Sequence, residues 1–128
     1  MGKLRIAIML IVISFFLFPN VLEASRPYDK RLEPENLAVI DNGIKYIPIS
    51  YYDSTKGRTF FVQAWDIKVG EKLWEQKIYE IKYDLNLEQD VQDRFVTSLR
   101  IENGKLLIKN ENNDEYELDL KTKTVMEK

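Results

Sequence analysis

Residues Ala64 to Trp74 read AWDIKVGEKLW, and this stretch decides the fold. Asp66 can accept hydrogen bonds from the backbone N–H groups of a turn. Gly70, four residues later, can adopt the positive φ that reverses a chain. Trp74 then falls on the following strand, where its ring can cover a neighbouring sheet. The stretch therefore predicts a strand, a tight turn and a second strand rather than a catalytic or cofactor-binding loop.

Apolar and β-branched runs separated by turn residues flank this unit on both sides. The dipeptides Asn42-Gly43 and Asn103-Gly104 each lie between apolar runs. This pattern is typical of type I′ hairpins, because both central residues of that turn need positive φ. Pro48 cannot donate a ladder hydrogen bond, so its strand is predicted to lie at an edge or to pair on one side there.

The whole pattern predicts an all-β chain of about eight antiparallel strands in two four-stranded, blade-like sheets. The two groups of strands are residues 37–83 and 95–127, within a single domain of residues 37–128. Alternation of apolar and acidic residues in EYELDL, residues 115–120, indicates a strand with one buried face. Asp84–Asp93 is the candidate for a helical turn or a long loop. Whether the groups form one continuous sheet or two packed sheets stays open.

The decisive stretch resembles the blade repeat of pyrroloquinoline-quinone-type eight-bladed β-propellers, A-x-D-x-x-T-G-x-x-x-W. Val69 replaces the threonine of that pattern. The second group keeps Asp119 and Thr122, but Lys123 replaces the glycine and no tryptophan follows. The resemblance implies blade-like antiparallel sheet; it does not imply quinone binding, because the cofactor sites of those enzymes lie outside this repeat. The matching residues in the first group are Ala64, Asp66, Gly70 and Trp74.

Two blades do not close a propeller, which typically has four to eight. We therefore expect one of three arrangements: the two sheets pack on each other, the chain self-associates, or it docks against another protein. The outer strands would otherwise be open edges.

The first residues have the pattern of a secretory signal peptide. Lys3 and Arg5 precede an apolar run of 13 residues, Ile6–Phe18, which is short for a membrane span of about 20 residues. Ala24 offers a small residue for cleavage. We predict a signal peptide over residues 1–24, with an uncleaved membrane anchor as the alternative, and export to the bacterial periplasm or the extracellular medium.

The stretch that follows, residues 25–36, is rich in charge and proline, and it is predicted to be a flexible lead-in. Pro27 and Pro34 are expected to disfavour a helix there.

Charge and residue types exclude several classes of function. The predicted mature chain has 17 basic and 20 acidic residues, a net charge of −3, which argues against nucleic-acid binding. No basic amphipathic segment favours stable membrane association after cleavage. The absence of histidine and cysteine excludes the usual nucleophilic triads and zinc sites, and no glycine-rich phosphate loop occurs. We expect no cofactor, no metal and no catalytic residue.

Three parts of the chain offer candidate site residues. Glu88, Asp90 and Asp93 lie in the connecting loop, where a solvated connector is the simpler interpretation and a carboxylate-dependent hydrolase the alternative. Asn110, Asn112 and Asp114 loosely resemble a calcium loop, but a polar hairpin turn is favoured. The aromatic pairs are Tyr51-Tyr52 and Phe60-Phe61, and alternation directs one member of each toward solvent or a second layer.

These observations favour an exported, non-enzymatic binding or accessory module that acts through protein–protein contacts or self-association. A carboxylate-dependent glycan hydrolase or a quinoprotein accessory subunit is one alternative. An inhibitor of an envelope enzyme is another; it would present the turn Asp53–Gly57 or the loop Asp84–Asp93.

Overall fold

The computed structural model describes residues Lys30–Lys128, so the predicted signal peptide and the start of the lead-in lie outside the described residues. These residues form eight strands in two four-stranded antiparallel sheets, each following chain order. The predicted all-β architecture is confirmed, and Asp84–Asp93 is a loop. Sheet A contains β1 (Val39–Asp41), β2 (Ile44–Asp53), β3 (Gly57–Asp66) and β4 (Glu71–Lys82). Sheet B contains β5 (Val96–Glu102), β6 (Lys105–Asn110), β7 (Glu115–Asp119) and β8 (Val125–Glu127).

Part of the predicted flexible lead-in is structured. A 3₁₀ turn spans Lys30–Leu32, and a short helix, α1, spans Pro34–Leu37. The expectation that Pro34 disfavours a helix was wrong, because Pro34 occupies the first helical turn, where its missing N–H costs nothing. Leu37 packs against the core. No helix in the range 30–128 has the length and apolar character needed to cross a membrane.

The hairpin predictions are confirmed. Asn42 and Gly43 have φ values of 49° and 74°, and Asn103 and Gly104 have 51° and 73°. Pro48 pairs only with β3, because the last β1–β2 partners are Val39 and Tyr46.

The turn of the decisive stretch is built as predicted and occurs twice. The Asp66 carboxylate accepts hydrogen bonds from the backbone of Lys68 (2.9 Å) and Val69 (3.3 Å), and Gly70 has φ of 70°. In sheet B, Asp119 accepts from Lys121 (2.8 Å) and Thr122 (3.0 Å). Lys123 takes the place of the glycine at φ 64°, and its Nζ lies 4.8 Å from the centre of the Trp74 ring.

The two sheets pack face to face around one apolar core, which answers the question left open by the sequence. Phe60 stacks on Tyr79 with ring centroids 4.4 Å apart, and Tyr79 stacks on Tyr116 of sheet B at 4.9 Å. Burial, and after it the interaction with Tyr116, raise the pKa of Tyr79 above its usual range. The other fully buried side chains include Val62, Ala64, Leu106, Ile108 and Leu118.

The two packed sheets have the same orientation, so the face that is outward in sheet A corresponds to the face that is buried in sheet B. Counted from the glycine of each Asn-Gly turn, the third residue is in the core in sheet A (Tyr46) but on the outer face in sheet B (Leu107). The second residue is on the outer face in sheet A (Lys45) and in the core in sheet B (Leu106). The outer face of sheet A is therefore equivalent to the core face of sheet B.

Candidate functional site

The candidate site is one end of sheet A, where the turn Asp53–Gly57 meets the loop Asp84–Asp93. We call these two segments together the loop end. The Gln89 side-chain amide donates to the carbonyl of Ser54 (2.7 Å), and the Tyr83 N–H donates to the carbonyl of Lys56 (3.0 Å). The two segments, which the sequence offered as separate binding elements, thus form one continuous surface.

Local side-chain bonds shape the turn Asp53–Gly57. The Asp53 carboxylate accepts hydrogen bonds from the hydroxyl (2.7 Å) and the N–H (2.9 Å) of Thr55, and these bonds lower the pKa of Asp53. Gly57 has φ of 138°, a value that L-residues rarely adopt.

The side chain of Gln92 fixes the backbone of the loop. Its amide oxygen accepts from the N–H of Asp84 (2.7 Å). Its amide nitrogen donates to the carbonyls of Asp84 (3.0 Å) and Glu88 (3.1 Å), with a longer contact to Leu87 (3.4 Å). A side chain near the end of the loop thus bonds backbone groups at the start and in the middle of the loop, which replaces the hydrogen bonds that a helix or strand would supply.

Asp93 anchors the end of the loop to the sheet. Its side chain is 6% exposed, and its carboxylate contacts the Arg58 Nε at 3.2 Å and the Tyr83 hydroxyl at 2.5 Å. The Arg58 guanidinium lies 5.2 Å from the centre of the Tyr52 ring and 5.1 Å from that of Phe95. Burial, together with the hydrogen bond to Asp93, raises the pKa of Tyr83 to about 12.

The loop exposes apolar side chains that the sequence reasoning missed. Leu85 is 68% exposed, and Leu87 and Val91 are each 57% exposed. Tyr52, at the adjoining end of β2, is 53% exposed, and its hydroxyl donates to the amide oxygen of Gln89. The available signal was three aliphatic residues within the otherwise polar DLNLEQDVQD. Exposed apolar side chains concentrated in one region typically mark an interaction surface.

The three candidate carboxylates of the loop have different environments. Glu88 is exposed, Asp90 is half-buried, and Asp93 is buried and bonded to Arg58. In the described part of the chain, no group of three or more acidic residues could hold a metal ion. Because it is buried and bonded to Arg58 and Tyr83, Asp93 is positioned to hold the loop.

The register separates the two aromatic pairs. Phe60 is in the core at 2% exposure, whereas Phe61 points to the outer face of sheet A. Tyr51 is on the same outer face, 51% exposed, and its ring meets Phe61 edge-on at 5.3 Å. Tyr52 lies beside the loop end, where its hydroxyl bonds Gln89. The four aromatic candidates thus fall into three places, and only Tyr51 and Phe61 share a surface.

In the asparagine-rich turn between β6 and β7, a buried asparagine side chain holds the backbone. The Asn110 side chain is 1% exposed, and its oxygen accepts from the backbone of Asn112 (3.0 Å) and Asp114 (3.1 Å). This agrees with the polar-turn interpretation.

No protein-family model matches the chain, and no curated protein matches its sequence.

Proposed function

We propose that this protein is an exported, non-enzymatic binding module that contacts a protein partner through the loop end. The observation that carries the proposal is the display of Leu85, Leu87 and Val91 on a loop whose backbone is held by Gln92. Apolar side chains in solvent give no stability to the chain itself, whereas in a complex their burial contributes about 25 cal/mol per Å².

The held backbone supports binding in a second way. A loop that is ordered before it meets its partner loses less conformational entropy on association, so more of the contact energy appears as affinity. Gln92 orders the loop by bonding its backbone, and Asp93 orders it by bonding the sheet through Tyr83. Exposed Glu88 lies in the same segment, where a charged side chain suits the polar rim of an interface.

An inhibitor of an envelope enzyme is the second candidate. The joining of Ser54 to Gln89 favours it, because the turn and the loop then form one projecting end that a cleft could receive. The partner in this case is an enzyme, and the same loop end is used.

Export is proposed on the basis of the N-terminal pattern alone. The blade-repeat relationship is likewise a proposal. Its support is the repeated aspartate turn, with Gly70 and Lys123 at equivalent positive-φ positions, and the matching orientation of corresponding faces.

The test replaces Leu87 with a photo-crosslinking amino acid in the full chain, expressed in the producing cells. We expect one discrete covalent adduct after irradiation. The matched control carries the same amino acid at Lys121, which is exposed in the turn of sheet B, and should give no adduct. Adding Gln92→Ala to the Leu87 variant should reduce the adduct severalfold, because the loop loses its fixed shape.

Equal adducts at Leu87 and Lys121, or none at Leu87, would contradict the proposal. The hydrolase alternative has a separate readout. A glycan-cleaving activity of the purified protein that Glu88→Ala or Asp90→Ala removes would replace the binding function with catalysis.

A further inference from the structure

A second surface, distinct from the loop end, is the outer face of sheet A. The positions on this face correspond to the positions of sheet B that pack in the core. In the strand pattern it is therefore equivalent to a face that packs against another sheet. Its centre is apolar: Ile47 on β2 is 8% exposed, and Ile49 on β2 with Phe61 and Trp65 on β3 are half-buried. The strand pairing places these further residues on it: Lys45, Tyr51, Thr59, Gln63, Lys72, Glu75, Lys77 and Glu80.

The central polar groups of this face are bonded to one another. Tyr51 and Gln63 each donate to the Glu75 carboxylate at 2.8 Å, and the Trp65 indole N–H donates to the Gln63 oxygen at 2.9 Å. The two bonds to Glu75 lower the pKa of its carboxyl group. Polar groups satisfied in this way can be covered by another protein surface without leaving buried atoms unbonded. At its centre the face therefore has few donors left for sugar hydroxyls, and its lysines lie toward its margins, which favours a protein occupant over a glycan.

The outer face of sheet B carries charged side chains on its two central strands, whereas on sheet A the ion pairs Lys45–Glu35 and Lys77–Glu80 (3.2 Å) lie on either side of the apolar centre. The charged residues of sheet B form four ion pairs: Arg100–Glu102 (3.6 Å), Lys105–Glu117 (3.7 Å), Lys109–Glu115 (3.8 Å) and Lys128–Glu117 (3.4 Å). Placing the apolar centre of sheet A on these pairs would remove seven charged side chains from water without offering them new partners, which costs desolvation energy. Packing of sheet A on sheet B of another copy is therefore disfavoured. The polar outer face of sheet B resembles that of a terminal repeat in a repeat protein, which does not bind a further repeat.

Charges along β4 are arranged so that the face complements itself. The outward residues follow the order Lys72, Glu75, Lys77 and Glu80. A two-fold axis lying between two such faces and perpendicular to the strands reverses this order in the second copy. Lys72 then meets Glu80, and Glu75 meets Lys77, twice in each dimer. Under the same operation the apolar rows of β2 and β3 meet at the centre.

The size of the face suits a reversible dimer. The strands β2 and β3 have ten residues each, so the face is about 33 Å long and about 15 Å wide. Covering it would bury about 500 Å² from each copy. The total of about 1,000 Å² is at the lower limit for a specific interface.

We propose that the outer face of sheet A binds the same face of a second copy, forming a two-fold symmetric dimer. The assembly stops at two copies, because the symmetric contact uses the face of both partners and sheet B offers no equivalent surface.

The test is sedimentation velocity on the protein expressed from its full sequence and purified after export, between about 1 and 200 μM, a range chosen for a weak interface. We expect a concentration-dependent dimer. Lys72→Glu and Glu80→Lys should each weaken the dimer by about tenfold, because each places like charges in contact at two symmetric positions. The double variant should restore the dimer, since it exchanges the partners and keeps their complementarity.

Lys109→Glu on the outer face of sheet B is the matched control, with the same charge change and no expected effect on the dimer. Leu87→Ser should also leave the dimer intact, which separates this proposal from the function of the loop end. A chain that stays monomeric across the range would overturn the proposal, as would a double variant that fails to dimerise. Oligosaccharide binding by a monomer, lost in Phe61→Ala, would overturn it in favour of a glycan.

Discussion

At the scale of single residues, Gly57 is the described glycine with the least space for a side chain. A Cβ there would lie 1.8 Å from the carbonyl oxygen of Ile81, and the backbone has φ of 138°. Gly43 also has positive φ, at 74°, but a Cβ there meets nothing within 4 Å. The two glycines therefore separate the effect of a backbone clash from the effect of φ alone.

We expect Gly57→Ala to lower the free energy of unfolding by roughly 3 kcal/mol, because β3 and β4 must separate to admit the methyl group. Gly43→Ala should cost about 1 kcal/mol, the usual penalty for an L-residue in the left-handed region. Urea unfolding of both variants measures the difference. Equal losses would show that the close contact with Ile81 relaxes without cost.

At the scale of elements, the edge strand β4 is better protected than its sequence suggested. The register with β3 shifts twice, leaving Leu73 and Ile78 as additional residues in bulges. Bulges and alternating Lys and Glu side chains both discourage pairing with another strand. The edge of sheet A at β4 is thus poorly suited to pairing with another strand.

The ion pair between Arg58 and Asp93 should be worth more than the surface pairs, because it is the link between the loop and the sheet. The two side chains are 20% and 6% exposed. We expect Arg58→Met and Asp93→Asn each to cost roughly 2–4 kcal/mol, with a coupling of roughly 1–3 kcal/mol in the double variant.

Arg100 and Glu102 are the control pair, at 3.6 Å and with side chains 70% and 58% exposed. Their coupling should be under about 1 kcal/mol. Chemical unfolding of both double-mutant cycles gives the comparison. Similar couplings for the two pairs would mean that Asp93 does not anchor the loop.

At the scale of the whole molecule, the absence of histidine and cysteine predicts stability that changes little between about pH 5 and pH 9. Below that range stability depends on the lowered pKa values of Asp53, Glu75 and Asp119. Hydrogen bonds to their carboxylates stabilise the fold above the unfolded pKa values, and this stability is lost as the pH falls through the folded ones.

At alkaline pH the raised pKa of Tyr83, about 12, has the opposite effect on stability. The folded chain keeps its phenol proton after the unfolded chain has lost it, so stability should fall as the pH rises from about 10 to about 12. Tyr83→Phe should make that fall less steep. Unfolding free energies measured across this range provide the test, and an unchanged slope would contradict the assignment to Tyr83.

Sequence alone determined the strands, their turns and the residue types that exclude common chemistries, because these depend on neighbours in the chain. Asn42-Gly43 specifies its own turn, and Asp66 bonds within four residues. Tertiary structure alone decided that Phe60 is buried and Phe61 is outward, since a shift of one residue in register exchanges the two faces. It also decided the loop end, because Arg58 and Asp93 are 35 positions apart and only packing brings them together.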